Sequence, residues 1–470
     1  MTMLKNNLEL LKKRYPEIYN EIKDIHVDSN AYQIIQNNEG QKTLKVTLDL
    51  YGENKSFFLH SKYHPDVEAD RFAREQYKPE FSIQILYGFG LGYHVEKIAG
   101  LLKPDSMLYV IENNLMVFRS ALENMDLCPI LENRNVSLIV SKDVGYISEK
   151  VKELIDNNLD KVSFITHPAS LKAIPEENEY FKFVMENWNL KKSITDDYDN
   201  TLRNNAKENL KLNSPNVGIF FDKFKDVPII IVSTGPSLDK NIDLLKEAKG
   251  RALIISAGSA LRPLLMRNIK PDFFAIIDPQ DITYNQIKGY ENIGIPFIYL
   301  VTAASYTVSR YLGPKLVAYY GKYNNSSEHL VDSGGSVATT ILDIAIKMGG
   351  NPIILVGQDL AYVDGKNHAQ YGSHASIYSP ELKNMRRVKG QNGEMLYTSL
   401  GLLSYKYWIE NRIQKEKRIF INATEGGAYI EGMKHIKLRD VISDYLKESF
   451  DFENKIKSIL KESGIQHVQG

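Results

Sequence analysis

The chain has 470 residues, of which 43% are hydrophobic and 25% charged, which sets it among globular proteins and requires more than one hydrophobic core. Its 58 Lys and Arg balance 58 Asp and Glu, so no overall basic field recommends nucleic acid as a partner. The single cysteine, Cys128, excludes an internal disulfide and Cys-rich metal centres and fits a reducing compartment. The opening residues, MTMLKNNLELLKKRYPEIYNEIKD, interleave charge with apolar side chains. They spell an amphipathic helix that Pro16 interrupts, not a signal peptide. No run approaches the roughly 18 apolar residues of a membrane span, so the expectation is a soluble, cytoplasmic protein with no membrane partner.

Residues 43–50 alternate like a strand, 51–55 supply a turn and 56–60 return, a β-hairpin. A helix over 66–77 follows. Residues 82–87 then read as a strand leading into Gly88-Phe89-Gly90-Leu91-Gly92 and a helix over 93–102, and a second strand, 107–111, ends at Glu112. Glycines at alternate positions with an acid about twenty residues on form a nucleotide-type Rossmann fingerprint. Its order resembles the S-adenosylmethionine site of class I methyltransferases, with Glu112 where a ribose-binding acid would stand. Gly88, Gly90, Gly92 and Glu112 are thus a possible second nucleotide-type site. The plainer reading is glycines that let a helix pack closely on its strand. Strands over 136–140 and 161–166 extend this sheet. Residues 176–212 read as a polar, Asn-rich helix bridging two domains, ended by Asn213-Ser214-Pro215.

The organising stretch is 227–248, where Pro228 opens Ile229-Ile230-Ile231-Val232, a β-branched run without polar alternation. Such a run is a strand buried on both faces of a parallel sheet. Ser233-Thr234-Gly235-Pro236-Ser237 breaks it, and helical spacing resumes from Leu238. Further strands are expected over 252–256, 273–277, 297–301, 316–320 and 352–356, most alternating with helices. Helices over 379–387 and 400–415, a short strand at 419–422 and an amphipathic helix over 439–463 complete the chain. The expected fold class is α/β: two Rossmann-like doubly wound units, N-terminal and central, joined by helices, with a mainly helical C-terminal region. The corresponding domains are 1–190, 191–375 and 376–470, the last a candidate for acceptor recognition.

Polar residues follow several strands of the central unit: Ser233 to Ser237, Ser256-Ala257-Gly258-Ser259, Asp278-Pro279-Gln280-Asp281 and Gly357-Gln358-Asp359. In a parallel sheet these strand ends converge on one edge, the place where open α/β sheets hold phosphorylated ligands. Asp332-Ser333-Gly334-Gly335-Ser336 opens another helix with paired glycines and hydroxyls, able to bind phosphate through amides without a lysine. Each alone reads as a capped helix start or a turn; together they read as a pocket.

The runs Val232 to Leu238, Lys270-Pro271-Asp272 through Ile277-Asp278-Pro279, Asp332 to Val337 and Leu355 to Tyr362 closely resemble the motility accessory factors, bacterial flagellin glycosyltransferases. Gly365-Lys366-Asn367-His368-Ala369, and upstream Leu59-His60-Ser61-Lys62-Tyr63-His64-Pro65 with Glu68-Ala69, resemble the same family. The resemblance implies O-linked transfer of a nonulosonic acid (pseudaminic, legionaminic or related) from its CMP-activated form to Ser or Thr of flagellin. It implies CMP-sugar and flagellin as partners and no required cofactor or metal. The central domain is also similar to a bacterial sialyltransferase family. That similarity implies a nucleotide site at Thr234, Gly235, Pro236 and Ser237, with Ser333, Gly334, Gly335 and Ser336 near the phosphate or ribose. Ser233, Ser256, Gly258, Asp278, Gln280 and Gln358 join that set from the strand ends. Those sialyltransferases carry Asn where this chain has Thr234.

Departure of CMP from a tertiary carbon leaves an oxocarbenium-like sugar, so hydroxyls and helix-terminal amides must stabilise the leaving phosphate. A base must take the acceptor's proton. His368 leads because imidazole titrates near neutral pH; His374 and Asp359 follow, and Tyr362 or Tyr371 can donate to the phosphate. The competing readings are a 6-hydroxymethylpterin diphosphokinase with Mg²⁺ on Asp278, Asp281 and Asp359, a non-catalytic flagellin-binding protein, and an S-adenosylmethionine-dependent methyltransferase working through Gly88 to Gly92.

Overall fold

The computed structural model describes residues 2–50, 53–156, 158, 161–175, 178, 181–185, 196–321, 329–363 and 385–464. The chain divides into two units, Met1–Ile194 and Thr195–Gly470.

In the first unit Pro16 does break the opening helix, giving Met3–Arg14 and Pro16–Ile22, with the proline in the first turn where its missing N–H costs nothing. The helices are tied down by polar side chains. Buried Asn7 donates to the carbonyls of Leu122 and Met125, and the Arg14 guanidinium to those of Leu131, Asn133 and Val136. The expected hairpin is present as β2 (Lys42–Leu50) and β3 (Glu53–Phe58), but β1 (Tyr32–Gln36) pairs antiparallel with β2 and makes a three-stranded sheet. Strands β4 (Ile83–Tyr87), β5 (Met107–Glu112), β6 (Val136–Val140) and β7 (Val162–Thr166) form a parallel sheet of order β6-β5-β4-β7. Strand order reverses between β4 and β7, next to the glycine turn.

The second unit holds β8 (Ile229–Val232), β9 (Leu253–Ala257), β10 (Phe273–Ile276), β11 (Phe297–Leu300), β12 (Lys315–Ala318) and β13 (Ile353–Val356). A small antiparallel pair follows, β14 (Arg386–Lys389) and β15 (Met395–Thr398), then β16 (Phe420–Asn422) and β17 (Lys434–His435). The large sheet runs β12-β11-β10-β9-β8-β13-β16-β17, every pair parallel. The four-residue strands β8, β10 and β13 are buried throughout, as a sheet covered on both faces requires.

Three expectations change. Residues 376–470 are not set apart from the central region: β16 pairs with β13, and both lie in the unit that begins at Thr195. The reason is physical, since β13 without β16 would expose a row of backbone donors and acceptors at a sheet edge. The helix expected over 379–387 meets strand β14 at Arg386 and Arg387, its other residues lying largely outside the described ones. The terminal helix is two helices, Leu438–Tyr445 and Phe452–Glu462, the second capped by Asp451, whose carboxylate accepts from the Asn454 amide. Among the described residues no helix is long and apolar enough to cross a membrane.

The C-terminal helix Leu400–Ile413 is bound to helix Val337–Lys347 through Asp343. Its fully buried carboxylate takes Arg412 Nε at 2.9 Å, Lys347 Nζ at 2.7 Å and the Asp332 amide at 2.7 Å. Removing one partner of such a buried group strands the others. Asp343→Ala should therefore destabilise the protein by about 3–5 kcal/mol, and Asp343→Asn by less, in urea unfolding.

Candidate functional site

In the first unit the glycine turn brings Gly88, Gly90 and Gly92 into positive φ, and Glu112 ends β5 beside it as the fingerprint requires. The amides that would face a ligand are already engaged by the chain. Glu112, 1% exposed, accepts from the amides of Phe89 (3.0 Å) and Asn114 (2.9 Å), and His60 Nε2 accepts from Leu91 N–H at 2.9 Å. Burial pushes the Glu112 carboxyl up to about 7, against the pull of those amides. The turn thus closes on the protein's own side chains where a dinucleotide fold would admit phosphate.

The second unit differs. Strand order reverses at β8 and β13, and their carboxyl ends flank a crevice of about 210 Å³. Its walls are Ser233, Thr234 and Gly235 after β8, Ala257 and Ser259 after β9, and Gly357 to Ala361 after β13. Ser336, Val337 and Ala338 from the start of helix Val337–Lys347 and Leu402 and Tyr405 from helix Leu400–Ile413 complete it.

The loops after β8 and β13 interlock. Gly235 N–H donates to the Gly357 carbonyl at 2.7 Å, and a Cβ on Gly235 would overlap Asp359 Oδ2. Gly357 has φ +68°, and a Cβ there would strike the Ser233 carbonyl oxygen. Asp359 locks the pair: its carboxylate accepts from Ser237 Oγ at 2.7 Å and from the Ser237 amide at 3.3 Å. Its own carbonyl accepts from the Ala428 amide at 2.7 Å. At 3% exposure, burial pushes the Asp359 carboxyl up to about 6; the bonds from Ser237 and the charge of Lys240 pull the other way.

At the opposite wall Ser336 caps the helix, its hydroxyl accepting from the Thr339 amide in a capping box. The amides of Val337 and Ala338, first in the helix, have no intrahelical acceptor and border the crevice. With the helix dipole they make an anion-binding end. Ser233 Oγ is buried in the same crevice with no hydrogen-bond partner among the described residues. Serine hydroxyl, paired helix amides and a carboxylate with raised pKa are what a phosphate leaving group and a deprotonated acceptor call for.

Residues 200–365 match the profile of the family described as 6-hydroxymethylpterin diphosphokinase MptE-like. A comparison with curated proteins gives no match. Among solved structures, the MAf glycosyltransferase from Magnetospirillum magneticum AMB-1 aligns with a TM-score of 0.54 at 18% identity. The alignment covers 98% of this chain and 78% of that one. The chain has a Maf-like fold. The resemblance carried by Gly235-Pro236-Ser237 and Gly334-Gly335-Ser336 is thereby met at the level of architecture.

Within this Maf-like fold the expected nucleotide set separates into groups. Ser233, Thr234, Gly235, Ser336 and Gln358 line the crevice, and so does Asp359, one of the residues expected to act in catalysis. Thr234 Oγ1 shares a hydrogen bond of 2.8 Å with Ser259 Oγ. Ser237 lies behind, 1% exposed, with its hydroxyl on Asp359, and Pro236 belongs to the same turn. Ser256 and Gly258 are buried under the rim; a Cβ on Gly258 would overlap Gln286 Oε1. Asp278 and Gln280 are exposed, the carboxylate accepting from the Gln280 amide at 2.8 Å. Asp278 is close enough to Tyr405 to help raise that phenol's pKa, behind the larger effect of burial. Ser333 accepts from Thr340 Oγ1 at 2.8 Å, and a Cβ on Gly334 would stand 2.5 Å from Trp408. The backbone of Tyr362 pairs with Tyr397 of β15, and its side chain is not among the crevice walls. His368, Tyr371 and His374 lie outside the described residues.

Sequence reasoning placed Ser259 among the converging strand ends without giving it a role, and it missed Leu402 and Tyr405. The helix carrying the last two was expected, but nothing local tells that it covers a crevice whose strands lie far earlier in the chain. A second hollow of about 280 Å³, bordered by Lys249, Asp272 and Phe452, opens at the opposite, amino edge of the sheet.

Because the folded state holds a proton on Asp359 up to about pH 6 and the unfolded chain releases it near 3.8, this group's stabilisation is lost as pH rises through 6. Asp359→Asn keeps an acceptor for Ser237 without the charge. It should raise stability at pH 8 by about 1–3 kcal/mol, the gain vanishing toward pH 4, in denaturant unfolding at both ends.

Proposed function

We propose that the second unit is a glycosyltransferase that transfers a nonulosonic acid from its CMP-activated form to Ser or Thr hydroxyls of flagellin. The observation carrying this reading is the convergence of the Gly-Pro-Ser turn, Asp359 and the amino end of helix Val337–Lys347 on one crevice. The Maf-like fold and the flagellin-enzyme motifs of the sequence support the same reading. In this mechanism the amides of Val337 and Ala338 and the Ser233 hydroxyl take the negative charge that grows on the departing CMP phosphate. Tyr405 and Leu402 give the donor an apolar wall. Asp359, whose pKa lies near working pH, accepts the proton of the incoming hydroxyl. The Ser237 hydroxyl orients its carboxylate, and no metal or cofactor is needed for the transfer.

The pterin diphosphokinase reading is favoured by the profile over residues 200–365. It needs Mg²⁺ on carboxylates; Asp278 and Asp281 are exposed, whereas the Asp359 carboxylate is buried and hydrogen-bonded to Ser237. Among the described residues, no three-ligand set includes these acids. Turnover of CMP-nonulosonate that persists in EDTA supports the transferase, whereas consumption of ATP with hydroxymethylpterin that EDTA abolishes supports the kinase. Absence of any turnover would leave a flagellin-binding protein. Mass spectrometry of flagellin from cells with and without this chain tests the acceptor: a missing mass of nonulosonate size supports the proposal.

Val337→Pro deletes one amide at a helix position that accepts proline, after a Ser336 that is already extended at φ −124°, ψ 157°. It should weaken CMP binding by roughly 10-fold, the value of one charge-assisted hydrogen bond, while cytidine binding is unchanged in calorimetry. Asp359→Asn should lower turnover by roughly 10²–10⁴ with CMP affinity retained, and the parent's rate should rise with pH through about 6. If His368→Ala produces that loss and Asp359→Asn does not, the base is the imidazole.

A further inference from the structure

The first unit gathers three buried histidines at the reversal point of its own sheet. His60 follows β3, His94 lies in the first turn of helix Tyr93–Leu101 and His167 follows β7. One nitrogen from each lies within 4.8 Å of the others. Their exposures are 3%, 1% and 7%, and the rings of Phe72 and Tyr93 pack against them edge-on.

The hydrogen bonds set the tautomers in a telling way. His94 donates from Nε2 to the Gly88 carbonyl at 2.8 Å, which leaves the lone pair on Nδ1, and that atom is buried with no partner among the described residues. His167 Nδ1 is paired with Ser170 Oγ at 2.8 Å, which can hold its lone pair on Nε2. A backbone carbonyl or hydroxyl on the far nitrogen is how proteins orient imidazoles that ligate metals. A buried lone pair without a donor costs about 1–3 kcal/mol, so its persistence asks for a partner.

The glycines of the turn serve this cluster. A Cβ on Gly90 would stand 2.6 Å from His60 Nε2, and one on Gly88 would overlap Ser170, the residue holding His167. The turn is therefore shaped to admit imidazoles.

We propose that His60, His94 and His167 bind one first-row transition-metal ion of the imidazole-preferring class, Zn²⁺ foremost. Three imidazoles leave one tetrahedral position to water or a small anion. His94 and His167 stack at 4.1 Å between ring centres, so one ring turns about its Cβ–Cγ bond on binding. The ion competes with the Leu91 N–H for the His60 Nε2 lone pair.

The test uses the tag-free full chain, stripped with chelator and titrated with Co²⁺. One equivalent per chain is expected, with the visible absorption of tetrahedral Co²⁺ held by nitrogen ligands, displaced by Zn²⁺. His94→Ala and, separately, the milder His167→Gln should each weaken uptake at least 10-fold. His64→Ala, which changes an exposed histidine nearby, should leave uptake unaltered. Circular dichroism checks that the variants fold. Absence of stoichiometric uptake by the parent overturns the proposal whatever the variants do, and so does uptake that survives in folded His94→Ala.

Discussion

The Asp359 carboxylate holds the second unit together at its most demanding point. It receives the hydroxyl and amide of Ser237, and so pins the turn after β8 against the loop after β13. The closeness this requires explains the residues around it. Gly235 leaves room for the carboxylate, Gly357 leaves room for the Ser233 carbonyl, and Gly427 leaves room for the Asp359 backbone. The same residue lines the crevice, so this buried carboxylate stands at the proposed site. A carboxylate whose proton is lost near pH 6 is costly to the fold and useful to a reaction that must take a proton.

The two units apply one topological rule with opposite outcomes. Both place a glycine-bearing turn after a central strand at the position where strand order reverses. In the second, turn and helix end stand apart and leave a crevice. In the first, Glu112 and His60 occupy the amides of Phe89 and Leu91. The architecture fixes where a site can be, and the side chains aimed at that place decide whether small molecules reach it.

Much of this was legible in sequence. The β-branched run of β8 and the apolar run of β13 announced a covered parallel sheet because four consecutive apolar residues have no solvent face to spare. The turn and the Ser336 cap were legible because Gly, Pro and Ser have local signatures. The role of Ser237 was not. Its hydroxyl points to Asp359, 122 residues away, a contact that no spacing rule encodes. The same limit hid Tyr405 and the place of β16, which depend on neighbours far along the chain. The Gly88 to Gly92 fingerprint read as a ligand site because glycine records only that something comes close. Here it is Ser170 at Gly88, His60 at Gly90, and Ile130 with Leu127 at Gly92.

Strand β16 enters the sheet beside β13, and Arg412 reaches back to Asp343, long after β8 to β13 have been laid down. The strand-end half of the crevice is therefore encoded well before the flank that Leu402 and Tyr405 supply. Under the proposed transfer reaction, a polypeptide that stops short of helix Leu400–Ile413 lacks the wall against which the donor would lie.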